Sequence, residues 1–353
     1  MQSPLHPVYP GPKERRTLYF NCINNIIDVE EWLVGWFMRS HNPEQQPMVH
    51  EIRRENLAEW IAWAFFAQPL ETVLEDEEAT TEMYWMINHF ADKFGLDFTP
   101  GYDEDIIAFR LTLDPVQAYH RPLVFYLFII SMTYLNTFLL SFWGFKKFGP
   151  DIPSALSLGW STLPSETTTS TSSASTGRVG YWYREGKNPN KKPIVFIHGI
   201  GPGLLPYLKF VYHLLDIDAP LFCVEQPYVS MRCIEDVPSM QETVQDLERM
   251  LHFHGFRDAV YVSHSLGVVI QTRSSRRRKS QHQNRTIRMP RATKVFLSEH
   301  DNIVNSSRVH EYLSSNGVNS EVMEGLDHGW FLFKSAWQQQ ILDTVSDYAS
   351  INN

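Results

Sequence analysis

The chain has 353 residues, 43% of them hydrophobic and 20% charged, enough for a sizeable core in one large domain or two ordinary ones. A formal net charge of −9 argues against nucleic-acid binding by the chain as a whole, and no nucleic-acid partner is expected. The three cysteines, Cys22, Cys223 and Cys233, form no CxxC pattern, so neither a disulfide framework nor a metal site is expected.

Residues 1–16, MQSPLHPVYPGPKERR, carry no apolar run of the kind a secretory signal needs; they read as a disordered N-terminus of a protein that is not secreted. Residues 17–150 read as a helical, hydrophobic, membrane-associated region. Within it, RRENLAEWIAWAFFAQ at 53–68 places apolar residues on nearly every side of a helix, which is then either deeply buried or facing lipid. TTEMYWMINHFADKFGL at 80–96 predicts an amphipathic helix stopped by Gly95. Residues 123–143, LVFYLFIISMTYLNTFLLSFW, hold no charge over 21 positions, and at about 1.5 Å per residue they reach across a hydrocarbon layer of roughly 30 Å. Arg121 before this stretch and Lys146 and Lys147 after it stand where snorkelling cations belong. The expectation is a membrane-spanning or interfacial helix with the C-terminal region on the cytoplasmic side. Thr133, Thr137 and Ser141 recur at spacing four, and the competing reading of this helix packs that face on protein.

TLPSETTTSTSSASTG at 162–177 is Ser/Thr-rich and cannot form a packed core; it reads as a linker. From 178 to 350 the pattern changes to alternating strands and helices. Strands are predicted over 179–185, 193–199, 219–225, 259–265, 293–301 and 320–329, and helices over 204–216 and 238–255. This rhythm means a parallel α/β sheet covered on both faces, with chemistry at the C-terminal strand ends.

SHSLG, 263–267, lies where a buried strand turns into a helix. The alcohol of Ser265 needs a base to become a nucleophile, and a strand–turn–helix corner with small residues two positions away on each side exposes it. Ser263 stands where the usual G-x-S-x-G pattern has its first Gly. HGIGPG, 198–203, ends an earlier strand, and backbone N–H groups of such a loop can face a developing oxyanion. The amides of Ile200 and Leu266 are the candidates. Asp301 follows the strand KVFLSEH, and His328 lies in LDHGW after the last predicted strand. The order Ser, Asp, His fits this architecture. Glu299 is an alternative acid. His264 is expected to point away from the nucleophile, and His198 to be a structural part of its loop. His252 and His254, two apart on a helix, face different sides and form no metal pair.

On these four motifs the chain resembles the α/β-hydrolase family. The nearest likeness is to fungal proteins of the AB hydrolase-1 type that carry a helical, hydrophobic N-terminal region before the hydrolase fold. The resemblance implies an α/β-hydrolase parallel-sheet domain over 178–350. It implies Ser265 as nucleophile, His328 as general base and acid, and Asp301 as the orienting acid, with His198, Gly199, Ile200 and Gly201 as the oxyanion loop. It also implies a serine hydrolase acting on a small-molecule or lipid ester, without cofactor.

The pattern breaks after the nucleophile. Only 36 positions separate Ser265 from Asp301, too few for the helix, strand and cap that normally intervene. From 273 to 291 there are eight Arg or Lys and no acid. This run reads as a translated non-coding or frameshifted piece, an irregular insert replacing the cap, or a patch for nuclear targeting or an anionic surface. One strand and the cap are expected to be missing. The remaining strands then either close up or leave a slot in the sheet, and in either case the triad is in doubt. A non-catalytic, membrane-anchored protein of the same fold is the alternative.

Overall fold

The computed structural model describes residues 9–115, 121–149, 179–188, 190–232, 237–268 and 292–350. The linker at 162–177 and the basic run at 273–291 lie outside them. The chain forms two compact units, residues 1–120 and 121–353. The division falls at 120/121 and not at 150, so the long apolar helix belongs to the second unit.

The first unit begins with α1 (Pro12–Ile23), which takes in five residues expected to be disordered. It continues through α2 (Val29–Val34), β1 (Phe37–Arg39), α3 (Arg54–Ile61), α4 (Leu70–Leu74), α5 (Glu77–Phe94) and β2 (Ile106–Ala108). The segment with apolar residues all round splits into α3 and a π-helical turn, Ala62–Phe66. Leu57, Ile61, Phe65 and Phe66 are all buried in the unit's own core with Tyr19, Met83 and Phe90. Protein covers them, so the lipid-facing reading of 53–68 does not hold. Asp76 caps α5 by accepting from the Glu78 and Ala79 N–H groups, and Gly95 ends it at φ +66°.

The second unit opens with α6 (Leu123–Phe142) and leads into β3 (Lys146–Phe148). β4 (Gly180–Arg184), β5 (Ile194–Ile197), β6 (Leu221–Glu225) and β7 (Val260–Ser263) complete a five-stranded sheet of order β3-β4-β6-β5-β7. β4 runs antiparallel to β3 and β6, whereas β5 is parallel to β6 and β7. β8 (Lys294–Ser298) and β9 (Asn319–Met323) form a separate parallel pair. Between the strands lie α7 (Leu208–Leu214), α8 (Met240–Phe253), α9 (Ser306–Ser315) and finally α10 (Ser335–Ser350). This is the α/β-hydrolase architecture expected from the sequence, preceded by a helical region. β5 and β6 are buried at every residue, as continuous apolar runs in a covered parallel sheet should be.

Lys146 and Lys147, expected to flank a membrane span, form β3 and pair with Tyr183 and Trp182 of β4. The Lys147 ammonium lies 5.8 Å from the Trp182 ring centroid. On α6, Ile129, Asn136 and Leu140 are buried along one face, and Leu140 joins the core that contains Trp182 and Phe210. Thr133 and Thr137 are half-buried beside them, while Ser141 is exposed. The opposite face exposes Leu123, Leu127, Phe128, Leu135, Phe138 and Phe142.

Candidate active site

β7 ends at Ser263, and the backbone turns at once. Ser265 has φ +52°, one of four described non-glycine residues with positive φ. That conformation costs roughly 1–2 kcal/mol for an L-residue and is sustained only by its surroundings. The corner is closed by three hydrogen bonds. His264 N–H donates to the Ile197 carbonyl at 3.2 Å, Gly267 N–H to His264 at 3.0 Å, and Val268 N–H to Ser265 at 3.0 Å. A Cβ on Gly267 would meet the Ile197 carbonyl at 2.8 Å, and one on Gly199 would meet the Ser265 Cβ at 2.8 Å. Both glycines are needed because the end of β5 passes against the corner.

His328 and Asp301 meet as the spacing predicts. His328 Nδ1 lies 2.7 Å from Asp301 Oδ2. The other carboxylate oxygen accepts from the N–H groups of Ile303 at 2.8 Å and Val304 at 3.0 Å. Burial pushes the Asp301 carboxyl up, but these hydrogen bonds outweigh burial and hold it below its usual range. Glu299 is engaged elsewhere, accepting from the Gly325 N–H at 2.7 Å, which removes it as the acid facing His328. Ser265, Asp301 and His328 line one cavity of about 450 Å³. The described hydrogen bonds include none between Ser265 and His328.

The oxyanion loop follows β5. His198 is fully buried; its Nε2 accepts from the Gln226 N–H at 3.1 Å, so its Nδ1 carries the proton and donates to the Gly199 carbonyl at 2.7 Å. Burial lowers its basicity, and the ring is held neutral as a brace for the loop. Gly201, at φ +149°, donates its N–H to the Val229 carbonyl at 3.1 Å. The N–H groups of Ile200 and Leu266 have no partner among the described hydrogen bonds.

Two residues escape a reading by motif. Tyr207, buried in a 3-10 turn, accepts the Gly199 N–H at 3.3 Å, and its Oη lies 2.7 Å from His264 Nδ1. His264 therefore does not point away from the site. Its ring sits with a centroid 4.9 Å from that of His328, against Phe331 at 5.4 Å. Burial, and then the neighbouring His328, lower the His264 pKa to about 4, so its ring is neutral around pH 7 and adds no positive charge beside His328. Nothing in the spacing of Tyr207 marks it; its link to His264 is purely tertiary.

Among the described residues no group of His, Cys, Asp and Glu is placed to hold a metal ion. No family model and no curated protein matches the chain. Solved structures similar to it include a carboxylesterase from Bacillus cereus, at 16% identity and TM-score 0.32, covering 46% of this chain and 94% of that one. A study of carboxylesterases from the thaumarchaeon Nitrososphaera gargenis supplies another, at 14% identity and TM-score 0.36, covering 48% and 94%. An α/β serine hydrolase homologue from Coxiella burnetii also matches at 14% identity and TM-score 0.36, covering 48% and 91%. With every one of these scores below 0.5, the architecture of this chain rests on its own strand order and on the corner at Ser265.

Proposed function

We propose that the protein is a membrane-associated serine hydrolase of carboxylic esters. Ser265 attacks the ester carbonyl while His328 takes its proton; the bond to the alcohol then breaks as His328 returns the proton to the leaving oxygen. Water, activated by the same ring, releases the acid from the acyl-enzyme. Asp301 fixes the ring so that Nε2 faces the reaction, and the Ile200 and Leu266 amides receive the oxyanion. The observation that carries this reading is the 2.7 Å His328–Asp301 bond opening onto the same cavity as the strained Ser265 corner. Full-length protein is expected to be labelled by a fluorophosphonate probe and to hydrolyse p-nitrophenyl esters, with both lost in Ser265→Ala. A folded wild-type chain that takes no label sinks the hydrolase reading.

The same fold without catalysis is the second reading. It is favoured by the lack of a Ser265–His328 hydrogen bond among the described ones and by β8 pairing with β9 and not with β7 among the described strands. For membrane contact, α6 lying in the interface is the better form. Its Leu140 face is already committed to the hydrolase core, and only the Phe138 face is free for lipid.

A further inference from the structure

One hydrogen bond holds the His328 ring at one atom. Nδ1 lies 2.7 Å from Asp301 Oδ2, and that bond leaves the ring able to swing about the line between the two atoms. A flat ring is fixed when something also bears on its face. His264 bears there. Its ring centroid lies 4.9 Å from that of His328 with 37° between the planes, and 5.4 Å from that of Phe331 at 56°. Phe331 is buried and meets Phe210 of α7 edge-on at 6.0 Å. The rings of Phe210, Phe331, His264 and His328 therefore run in a row from the core to the site. The chain after His328 bends closely round the same ring. Gly329 has φ +77°, and a Cβ there would lie 3.5 Å from His264 Cε1.

The His264 ring is fixed in turn by Tyr207. Tyr207 Oη accepts the Gly199 N–H at 3.3 Å and lies 2.7 Å from His264 Nδ1. Among the described hydrogen bonds, Nδ1 is the one acceptor for the phenol's own hydrogen. Nδ1 therefore accepts, and the N–H of the neutral ring sits at Nε2. A neutral ring suits this place, because a second imidazolium would repel the charge that His328 takes up during turnover. We propose that His264 is a positioning residue for the general base: held at Nδ1 by Tyr207 and backed by Phe331, it bears on the face of His328 and keeps that ring on Asp301 with Nε2 toward the nucleophile. The proposal rests on the hydrolase reading for what His328 does, whereas the packing of the two rings does not depend on it.

Two substitutions separate the ring from its hydrogen bond. His264→Phe keeps a flat ring against His328 and loses the acceptor for Tyr207. His264→Asn keeps an acceptor, Oδ1, near the Nδ1 position and loses the ring. If His264 served the fold alone, activity would follow stability and the Asn variant would be the faster, since the Phe variant leaves a buried hydroxyl unpaired. Positioning reverses that order: the Asn variant has the higher midpoint in urea and the lower kcat. Full-length variants in detergent are assayed on p-nitrophenyl butyrate. His264→Asn should lower kcat about a hundredfold, the cost of a misplacement near 1 Å, with KM changed by less than about twofold. His264→Phe should stay within about tenfold of the wild type. Wild-type kcat in the folded Asn variant, or a Phe variant slower than the Asn variant, overturns the proposal and leaves the hydrolase reading standing. A wild-type chain without esterase activity or fluorophosphonate labelling sinks the hydrolase reading. The far-downfield proton NMR signal of His328 Nδ1–H, assigned by its loss in Asp301→Asn, then decides the positioning. Broadening of that signal in the Asn variant but not in the Phe variant supports it, and a signal that is absent or unchanged overturns it. Should either variant fail to fold by circular dichroism, Tyr207→Phe, which unties the ring and leaves it in the chain, is read by the same signal with the same two outcomes.

Discussion

At the residue scale, the candidate site is held by contacts that differ in how far they can be read from sequence. Ser265, Asp301 and His328 were legible as candidates because their surroundings are local: each follows a predicted strand, and Ser265 stands in a small-residue turn. Tyr207 and His264 were not, because the hydrogen bond between them joins residues 57 apart in the chain. Their pairing links the oxyanion loop to the ring beside His328. Tyr207→Phe strips the acceptor from the buried Gly199 N–H and the partner from the part-buried His264 Nδ1. Destabilisation of about 1–3 kcal/mol is expected, read as a lowered midpoint in urea unfolding at unchanged slope. A variant as stable as the wild type would show that water replaces the phenol there.

At the element scale, hydrophobic patterning located helices well but left open what covers them. The stretch 53–68 and α6 read alike, apolar over most of their circumference. The first is covered by its own unit, whereas the second keeps one row in the core and one row bare. Composition gives the amount of apolar surface, and only packing decides which part remains exposed. Lys146 and Lys147, which follow the apolar run, also form an edge strand among the described residues, and the sequence did not indicate that pairing. If the bare row meets lipid, Phe138→Asp, at a side chain 65% exposed, removes roughly 1.5–3 kcal/mol of burial and adds a charge. Liposome co-sedimentation should then fall about tenfold or more; unchanged sedimentation would mean that this row does not enter the bilayer.

At the scale of the whole molecule, one buried and two partly buried imidazoles tie stability to pH. Burial lowers the pKa of His198, and it takes His254 and His264 to about 4. These groups bind protons more readily unfolded, near pH 6.5, than folded. Their contribution is fully present above about pH 6.5 and is lost as pH falls toward 4, by at most about 1.4 kcal/mol per pH unit for each group. The thermal midpoint should therefore drop steadily between pH 7 and pH 4.5. A flat midpoint across that window would mean that these rings are solvated in the folded chain.

The sequence by itself determined the α/β pattern, the strand rhythm and the order of the candidate Ser, Asp and His. Each of these depends on periodicity or on turn chemistry within a few residues. It also showed that the interval between Ser265 and Asp301 is short, because counting residues is enough for that. The consequence of that shortening was beyond it. Among the described strands β8 pairs with β9 and not with β7, a relation set by packing and not by a count of 36 positions. Only the tertiary structure kept His328 on Asp301 and brought His264 against His328, since these relations are fixed by residues distant in sequence and adjacent in space.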